Sequence, residues 1–329
     1  MATSDTMRAA RYPTSGPDAA KLSVVSIPHP VPAAGEVLVR VRFSGVNPTD
    51  WKSRKSGGNA SVSDVVVPNQ DGAGEIVAVG EGVDPGRVGE RVWLWEGQWQ
   101  RAQGTAAQWI ALPSVQAVEL PSGVSLSLGA GLGIPAITAH RCLFADGPLD
   151  GAQVLVHGGA GAVGHAAIEL ARWHGARVAT TVSSEEKAEL ARAAGAELVV
   201  NYRSEPVVER LRSWAPEGVA RIVEVNLPAN ASLDTEVIAA GGVISCYVTA
   251  DRPVELSRSL MVRNVSIGFV LVYTIPVAAK LKAVADISAA LRDGALTALP
   301  EHRFPLEEVA AAHDAVEGGV TGKVLVQLP

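Results

Sequence analysis

Cysteine is nearly absent: Cys142 and Cys246 are the two in 329 residues. Two thiols cannot build a disulfide framework or the four-cysteine lobe of a structural zinc site. They lie far apart in apolar stretches and are expected to be reduced core thiols. An excess of one charge is lacking too, with 28 Lys and Arg against 34 Asp and Glu and a formal net charge of -6. Such a chain has no general attraction for phosphate backbones, and it carries no dense Lys/Arg cluster with interleaved aromatics, so nucleic acid is not an expected partner. No apolar run is long enough to cross a bilayer, which removes membrane insertion from the expected roles. The opening residues, MATSDTMRAARYPTSG, have no basic start, apolar run or small-residue cleavage site, and the expectation is a cytoplasmic protein.

What is present is ordinary globular composition, 47% hydrophobic and 19% charged, in a chain longer than one hydrophobic core usually serves. Two domains are expected. Up to about residue 117 the chain shows short β-type runs broken by Gly and Pro, at 21–27, 36–43, 74–79, 91–95 and 107–111, which read as a mostly antiparallel β domain. Residues 126–144 then carry helical spacing with Ser125 as a cap. A strand and helix alternation follows, with strands at 154–157, 177–182, 197–201, 221–225 and 242–248. Helices are expected at 162–174, 185–194, 206–214 and 232–240. This alternation is the pattern of a doubly wound parallel sheet covered on both faces. Residues 265–272 read as a further strand, 277–293 and 306–317 as helices and 323–328 as a last strand, whose sheet the periodicity does not decide.

The run Gly158-Gly159-Ala160-Gly161-Ala162-Val163-Gly164 sits between an apolar strand and an amphipathic helix. In that context the pattern Gly159-x-Gly161-x-x-Gly164 reads as a dinucleotide fingerprint, whose glycines let the backbone turn tightly against a pyrophosphate held at a helix N-terminus. NAD-binding chains place an Asp or Glu about twenty residues further on for the ribose hydroxyls. Here the strand ends Thr181-Val182-Ser183-Ser184 with no carboxylate, and Ser183 with Lys187 offers a hydroxyl and a positive charge to a 2′-phosphate, favouring NADPH. Ser183 and Glu186 also read as a capping box, with Lys187 as a solvated surface residue, and both roles can hold together.

Taken together, Gly45-Val46-Asn47-Pro48-Thr49-Asp50, residues 131–139 (GLGIPAITA), residues 154–164, Asn201-Tyr202-Arg203 and Thr321-Gly322-Lys323-Val324 closely resemble the zeta-crystallin-like quinone oxidoreductases of the medium-chain dehydrogenase/reductase superfamily. The resemblance implies an α/β protein. A GroES-like β domain would be formed by residues 1–124 and 266–329, a Rossmann NADPH-binding domain by 125–265, and the active site would lie in a cleft between them. It implies NADPH as hydride donor, with Asn47 near the nicotinamide ribose and Thr138 facing the cofactor. Gly159, Ala160, Gly161, Ala162, Val163 and Gly164 would meet the pyrophosphate, Ser183, Lys187 and Tyr202 the 2′-phosphate, and Asn230 a later part of the cofactor, in a loop where Asn226 is the alternative. Tyr247, Val248 and Thr249 with Phe269, Val270 and Leu271 would be strand ends flanking the nicotinamide, and Lys323 belongs to the same set. It further implies a homodimer paired edge to edge through residues 265–272. Many relatives carry a Tyr shortly after the Asn-Pro motif; this chain has Trp51-Lys52-Ser53-Arg54 there.

Zinc alcohol dehydrogenases of the same superfamily need Cys, His and acidic ligands. Ser44-Gly45-Val46-Asn47 and Asn69-Gln70-Asp71-Gly72 stand in those places, so no catalytic zinc is expected. None of the seven histidines has ligand spacing, and His157 and His165 read as packed or capping. Hydride transfer without a Lewis acid suits a quinone or a polarised enone. Asn47, Asp50, Lys52 and Tyr273 are the candidate catalytic residues on position alone, and no proton donor stands out. Trp93, Trp95, Trp99 and Trp109 read equally as an apolar wall for an aromatic acceptor or as core, with Trp51, Trp95 and Trp99 the pocket candidates. The expected activity is a zinc-independent NADPH-dependent quinone reductase; an enoyl-thioester or enone reductase and an NADPH-binding protein with little turnover are the alternatives.

Overall fold

The computed structural model describes residues 6–248 and 252–329, and they form two compact units, Met1–Ile134 with Pro300–Pro329, and Pro135–Leu299. Among the described residues no helix is long and apolar enough to cross a membrane.

The first unit opens on the antiparallel pair β1 (Thr6–Pro13) and β2 (Ser23–Pro28). The long β3 (Glu36–Val46), helix α1 (Pro48–Ser56), the short β4 (Val65–Val66), β5 (Asp71–Val79), β6 (Arg91–Leu94), β7 (Trp109–Pro113) and β8 (Ala117–Glu119) follow. β3 pairs antiparallel with β5 and β7, and β6 with β5 and β8. Val37, Val39 and Val41 are fully buried along β3 and Arg40 between them is exposed, while Leu38 is buried as well.

The single helix expected over 126–144 is two, α2 (Leu126–Gly129) and α3 (Gly133–Phe144). Ser125 caps the first as expected, accepting from the Leu128 N–H at 3.1 Å. Gly129, Gly131 and Gly133 weaken helix propensity at the break, and the Asp71 carboxylate restarts the helix by accepting from the Ile134 N–H at 2.8 Å.

The second unit runs β9 (Gln153–His157), α4 (Ala162–Trp173), β10 (Arg177–Val182), α5 (Glu185–Ala193), β11 (Leu198–Asn201), α6 (Val207–Trp214), β12 (Val219–Glu224), α7 (Leu227–Val237), β13 (Ile238–Cys246), α8 (Arg258–Val262), β14 (Ser266–Phe269) and α9 (Val277–Arg292). Its strands form one parallel sheet in the order β11-β10-β9-β12-β13-β14, the doubly wound order with its switch between β9 and β12. Val154, Leu155 and Val156 on β9 and Ile222 and Val223 on β12 are fully buried, as central strands covered on both faces must be.

The chain then returns with β15 (Glu301–Pro305), α10 (Val309–Glu317) and β16 (Lys323–Gln327). β16 pairs antiparallel with β3, so the last strand belongs to the first unit. Other expectations shift, and residues 125–134, expected in the second domain, group with the first unit. Residues 266–299 group with the second unit, because β14 hydrogen-bonds to β13 and extends the parallel sheet, whereas the expected division had given them to the first. The helix expected at 232–240 begins earlier, with Pro228 in its first turn, and stops at Val237, because residues from Ile238 onward enter β13.

Candidate functional site

The glycine turn leaves the end of β9 and opens α4. Gly158 sits at φ 73°, a left-handed conformation in which a side chain is strained. The Gly158 and Gly159 N–H groups both donate to the Thr181 carbonyl, at 3.1 and 3.3 Å, so the turn is pinned onto β10. A Cβ at Gly159 would stand 2.2 Å from Thr180 Oγ1, and one at Gly164 would stand 2.3 Å from the Gly158 carbonyl oxygen. Those two glycines are demanded by the protein's own packing. Gly161 is not: a Cβ there would meet nothing nearer than the Gly158 oxygen at 3.4 Å. Gly161 is exposed at the N-cap of α4, ahead of the first-turn N–H groups of Ala162, Val163 and Gly164, which have no intrahelical partner. An open glycine before unpaired donors at a positive helix end is the cradle a pyrophosphate needs.

β10 delivers the second feature. Ser184, not Ser183, caps α5, its Oγ accepting from the Lys187 N–H at 3.3 Å. The capping box expected at Ser183 and Glu186 is not formed: the cap lies one residue later, its N3 residue is Lys187, and Ser183 is left between strand and cap. β11 pairs in register with β10, Asn201 opposite Val182, so Tyr202 and Arg203 come off the strand end beside Ser183. Tyr202 is 53% exposed. The cations nearby are otherwise engaged, Arg192 by Glu185 and Glu189 and Arg210 by Glu205, whereas no ion pair holds Lys187 or Arg203 among the described residues. Arg203 was quoted in the sequence motif without a role, and the register of β11 is what places it here.

At the switch point, β12 lies against β9 with Val223 opposite Val156, which sets Glu224 beside His157. His157 Nδ1 bonds Thr181 Oγ1 and its Nε2 bonds Asp234 Oδ1, both at 2.9 Å, with Glu224 Oε2 at 3.5 Å. Among the described residues this is the group of His, Cys, Asp and Glu side chains whose donor atoms lie within 4.8 Å of one another. His157, Glu224 and Asp234 Oδ1 take part in hydrogen bonds, whereas the buried Asp234 Oδ2 has none among the described residues. Burial pulls the His157 pKa down, but the Asp234 hydrogen bond and the Asp234 and Glu224 charges outweigh it and raise it overall. Glu224 is pushed up to about 7 by burial, with Asp234 adding and His157 opposing. Asn230 lies on the first turn of α7 rather than in a loop, and its Nδ2 donates to both Glu224 oxygens at 3.0 and 3.1 Å. Asn226 is exposed and gives Glu224 its backbone N–H. Cys142 and Cys246 are free and buried, and burial pushes both thiols up to about 12, which removes thiol chemistry at neutral pH.

In the first unit, Asn47 is held at both ends of its carboxamide. Nδ2 donates to Asp71 Oδ2 at 2.6 Å, and Oδ1 accepts from Lys323 Nζ at 2.8 Å. Lys323 is 7% exposed and lies 3.9 Å from the Asp71 carboxylate. Asp50, at N3 of α1, accepts from the Asn47 N–H at 2.7 Å. Burial, and next the Asp71 charge, pushes Asp50 up to about 8; burial also raises Asp71, to about 6, against the pull of Lys323 and its hydrogen bonds. A zinc ion does not fit this donor set. Its carboxylates, Asp71 and Asp50, already have the Lys323 ammonium as their positive charge, and Gln70 is bound through both ends of its amide to Gln98.

The remaining candidates are scattered. Thr138 is buried on α3. Tyr247 and Val248 follow β13, and burial raises the Tyr247 hydroxyl further above its ordinary value. Thr249 lies outside the described residues. Phe269 is 74% exposed at the end of β14, and the Val270 N–H donates to the Cys246 carbonyl at 2.8 Å, ahead of an exposed Leu271. Tyr273 is buried in a short turn of helix, its carbonyl accepting from Lys280 Nζ at 2.8 Å. Lys52 is exposed and stands 5.6 Å over the ring of half-buried Trp51. Trp93 is fully buried and Trp95 4% exposed, both core positions, whereas Trp99 is half-buried.

Residues 33–122 match the family model described as an alcohol dehydrogenase GroES-like domain, and 162–289 the one described as a zinc-binding dehydrogenase. Across 98% of both chains the protein is 30% identical to a quinone oxidoreductase of Homo sapiens. A solved mycobacterial quinone oxidoreductase superposes with a TM-score of 0.81 at 27% identity, covering 98% of this chain and 100% of that one. A mycobacterial protein complexed with NADPH gives a TM-score of 0.82, also at 27% identity and with the same coverage. With a GroES-like antiparallel β domain, a six-stranded Rossmann sheet and full-length similarity to quinone oxidoreductases, the chain belongs to the medium-chain dehydrogenase/reductase family of NAD(P)-dependent oxidoreductases.

Proposed function

We propose that the protein is an NADPH-dependent reductase that passes a hydride to a quinone or a similarly electrophilic small molecule without a metal. The observation that carries the cofactor choice is the end of β10, where Ser183 and Ser184 stand in place of a carboxylate, Lys187 lies in the first turn of α5, Tyr202 and Arg203 leave the paired end of β11, and neither cation has an ion pair among the described residues. The acceptor class rests on the full-length relatives and on a donor set that does not fit zinc.

When bound, the dinucleotide supplies the hydride, and the chain supplies orientation and exclusion of water. Gly161 and the N–H groups of Ala162, Val163 and Gly164 hold the pyrophosphate; Ser183, Lys187, Tyr202 and Arg203 hold the 2′-phosphate. On the family pattern Asn47, Thr138, Asn230, Lys323, residues 247–249 and residues 269–271 complete the surroundings of the cofactor, and Trp51 and Trp99 face the acceptor. Lys323 and Asp71 fix the Asn47 carboxamide by gripping it from opposite ends. The exposed apolar side chains at the open edge of β14, Phe269 among them, are proposed to pair with a second copy of the chain.

The test is a panel of ortho- and para-quinones, enones and enoyl thioesters, each run with NADPH and NADH. Preference for quinones with NADPH is expected, and preference for a thioester would replace the acceptor. Lys187→Ala should weaken NADPH by about 1.5 to 3 kcal/mol, the size of a hydrogen bond to a charged group, and leave NADH nearly unchanged. Equal losses for both cofactors would remove the phosphate role.

A further inference from the structure

The buried cluster at the switch point does more than fill space, because its two ends reach two different parts of the dinucleotide cradle. At one end His157 bonds Thr181, the residue whose carbonyl receives the Gly158 and Gly159 N–H groups. At the other end Glu224 receives the Asn230 amide on both its oxygens and the Asn226 N–H as well. Asp234 joins the two through His157 Nε2. Glu224 and Asp234 are fully buried and His157 nearly so. A Cβ on Gly158 would lie 3.6 Å from Val225, the residue after Glu224, so the segment from β12 into α7 runs alongside the glycine turn.

Glu224 Oε1 already accepts the Asn226 N–H and so serves as an acceptor, and with Asn230 3.0 and 3.1 Å from the two Glu224 oxygens its NH₂ group points inward. The Asn230 oxygen then points the other way, and no hydrogen bond holds it among the described residues. Truncating Glu224 or reversing its hydrogen-bonding character would free the amide to turn over and present a donor instead.

We propose that Glu224, backed by His157 and Asp234, is a positioning residue. It sets the Asn230 carboxamide with its oxygen outward, to accept from a hydroxyl or amide donor on the nicotinamide half of the bound dinucleotide. This rests on the dinucleotide reading above. The amide is oriented by its buried acceptor, which makes Asn230 an acceptor at the switch point, where ligands of doubly wound sheets bind.

The experiment is a double-mutant cycle on cofactor affinity, with Asn230→Ala, Glu224→Gln and the pair, titrated with NADPH and with adenosine 2′,5′-bisphosphate, which has only the adenine half. Asn230→Ala should weaken NADPH by about tenfold, as for one well-placed hydrogen bond. Glu224→Gln should cost a comparable factor in the parent and almost nothing more once Asn230 is Ala, the non-additivity of residues acting through one another. The bisphosphate should bind all variants equally. Multiplying losses, an unaffected Asn230→Ala, or equal weakening of the bisphosphate would overturn the proposal, the last by showing that the cluster merely holds the glycine turn. Should Glu224→Gln fail to fold, Asp234→Asn takes its place in the cycle with the same expectations. If the parent protein binds neither ligand, the dinucleotide reading itself fails; if it binds both and the cycle is additive, this inference alone fails.

Discussion

Individual side chains in this protein divide by how their chemistry is supported. Lys187 lies at the surface, half-buried, with no ion pair among the described residues. Asp50 is the opposite case, a carboxyl buried beside another carboxyl and lifted from 3.8 to about 8, chiefly by burial and then by the Asp71 charge. A group that holds its proton more tightly folded than unfolded contributes stability in full below pH 3.8 and loses it as pH rises through about 8. Asp50→Asn removes that titration while keeping an oxygen for the Asn47 N–H. The melting temperature of the parent relative to the variant should therefore fall between pH 5 and pH 9, and thermal unfolding of both across that range reads it directly. A constant difference would show that Asp50 ionises as it does in water. The residues legible in the sequence are those whose signal is local: Gly159, Gly161 and Gly164 by spacing, Ser183 and Lys187 by distance from them. Glu224 and Asp234 carried no such signal, since Asp234 is 77 positions from its partner His157 and meets it only through the parallel register of β9 and β12 and the packing of α7.

At the level of elements, the glycine turn joins two demands that separate cleanly. Gly159 and Gly164 serve the contact of α4 with the sheet, and any side chain there collides at under 2.5 Å. Gly161, with φ −79° and ψ 159°, has a backbone open to any residue and room for a methyl group. Gly161→Ala should consequently stabilise the unliganded protein by about 0.4 to 1 kcal/mol, by reducing the freedom of the unfolded chain, while weakening NADPH. A raised melting temperature with unchanged cofactor affinity would show that no ligand approaches the backbone there. The parallel strands were readable because covered strands write themselves as apolar runs; Arg177–Val182 was read with both its ends in place. The break between α2 and α3 was less readable, because the Asp71 carboxylate that restarts the helix comes from 63 residues away.

For the whole molecule, the sheet of the second unit ends on β14, a four-residue edge strand whose last residue, Phe269, is exposed, as is Leu271 just after it. An open edge carrying large apolar side chains is managed by pairing or by covering. A dimer is the expected state by analytical ultracentrifugation, and Phe269→Glu should shift it toward monomer; a monomeric parent would remove the pairing. That edge was seen in the sequence as a strand but assigned to the wrong unit, because periodicity reports that a segment is extended and not which neighbour it hydrogen-bonds. The first unit is likewise assembled from both ends of the chain, β16 closing against β3. Lys323 follows its hydrogen-bond partner Val46 by 277 residues. At roughly 5 to 20 residues per second, a ribosome takes about 15 to 55 s to cover that interval. Throughout it the β16-facing edge of β3 waits unpaired, while the whole of the second unit, contiguous in sequence, is synthesised. The Asn47–Lys323 contact is therefore among the last to form, and a chain truncated before residue 323 would leave the sheet of the first unit unclosed.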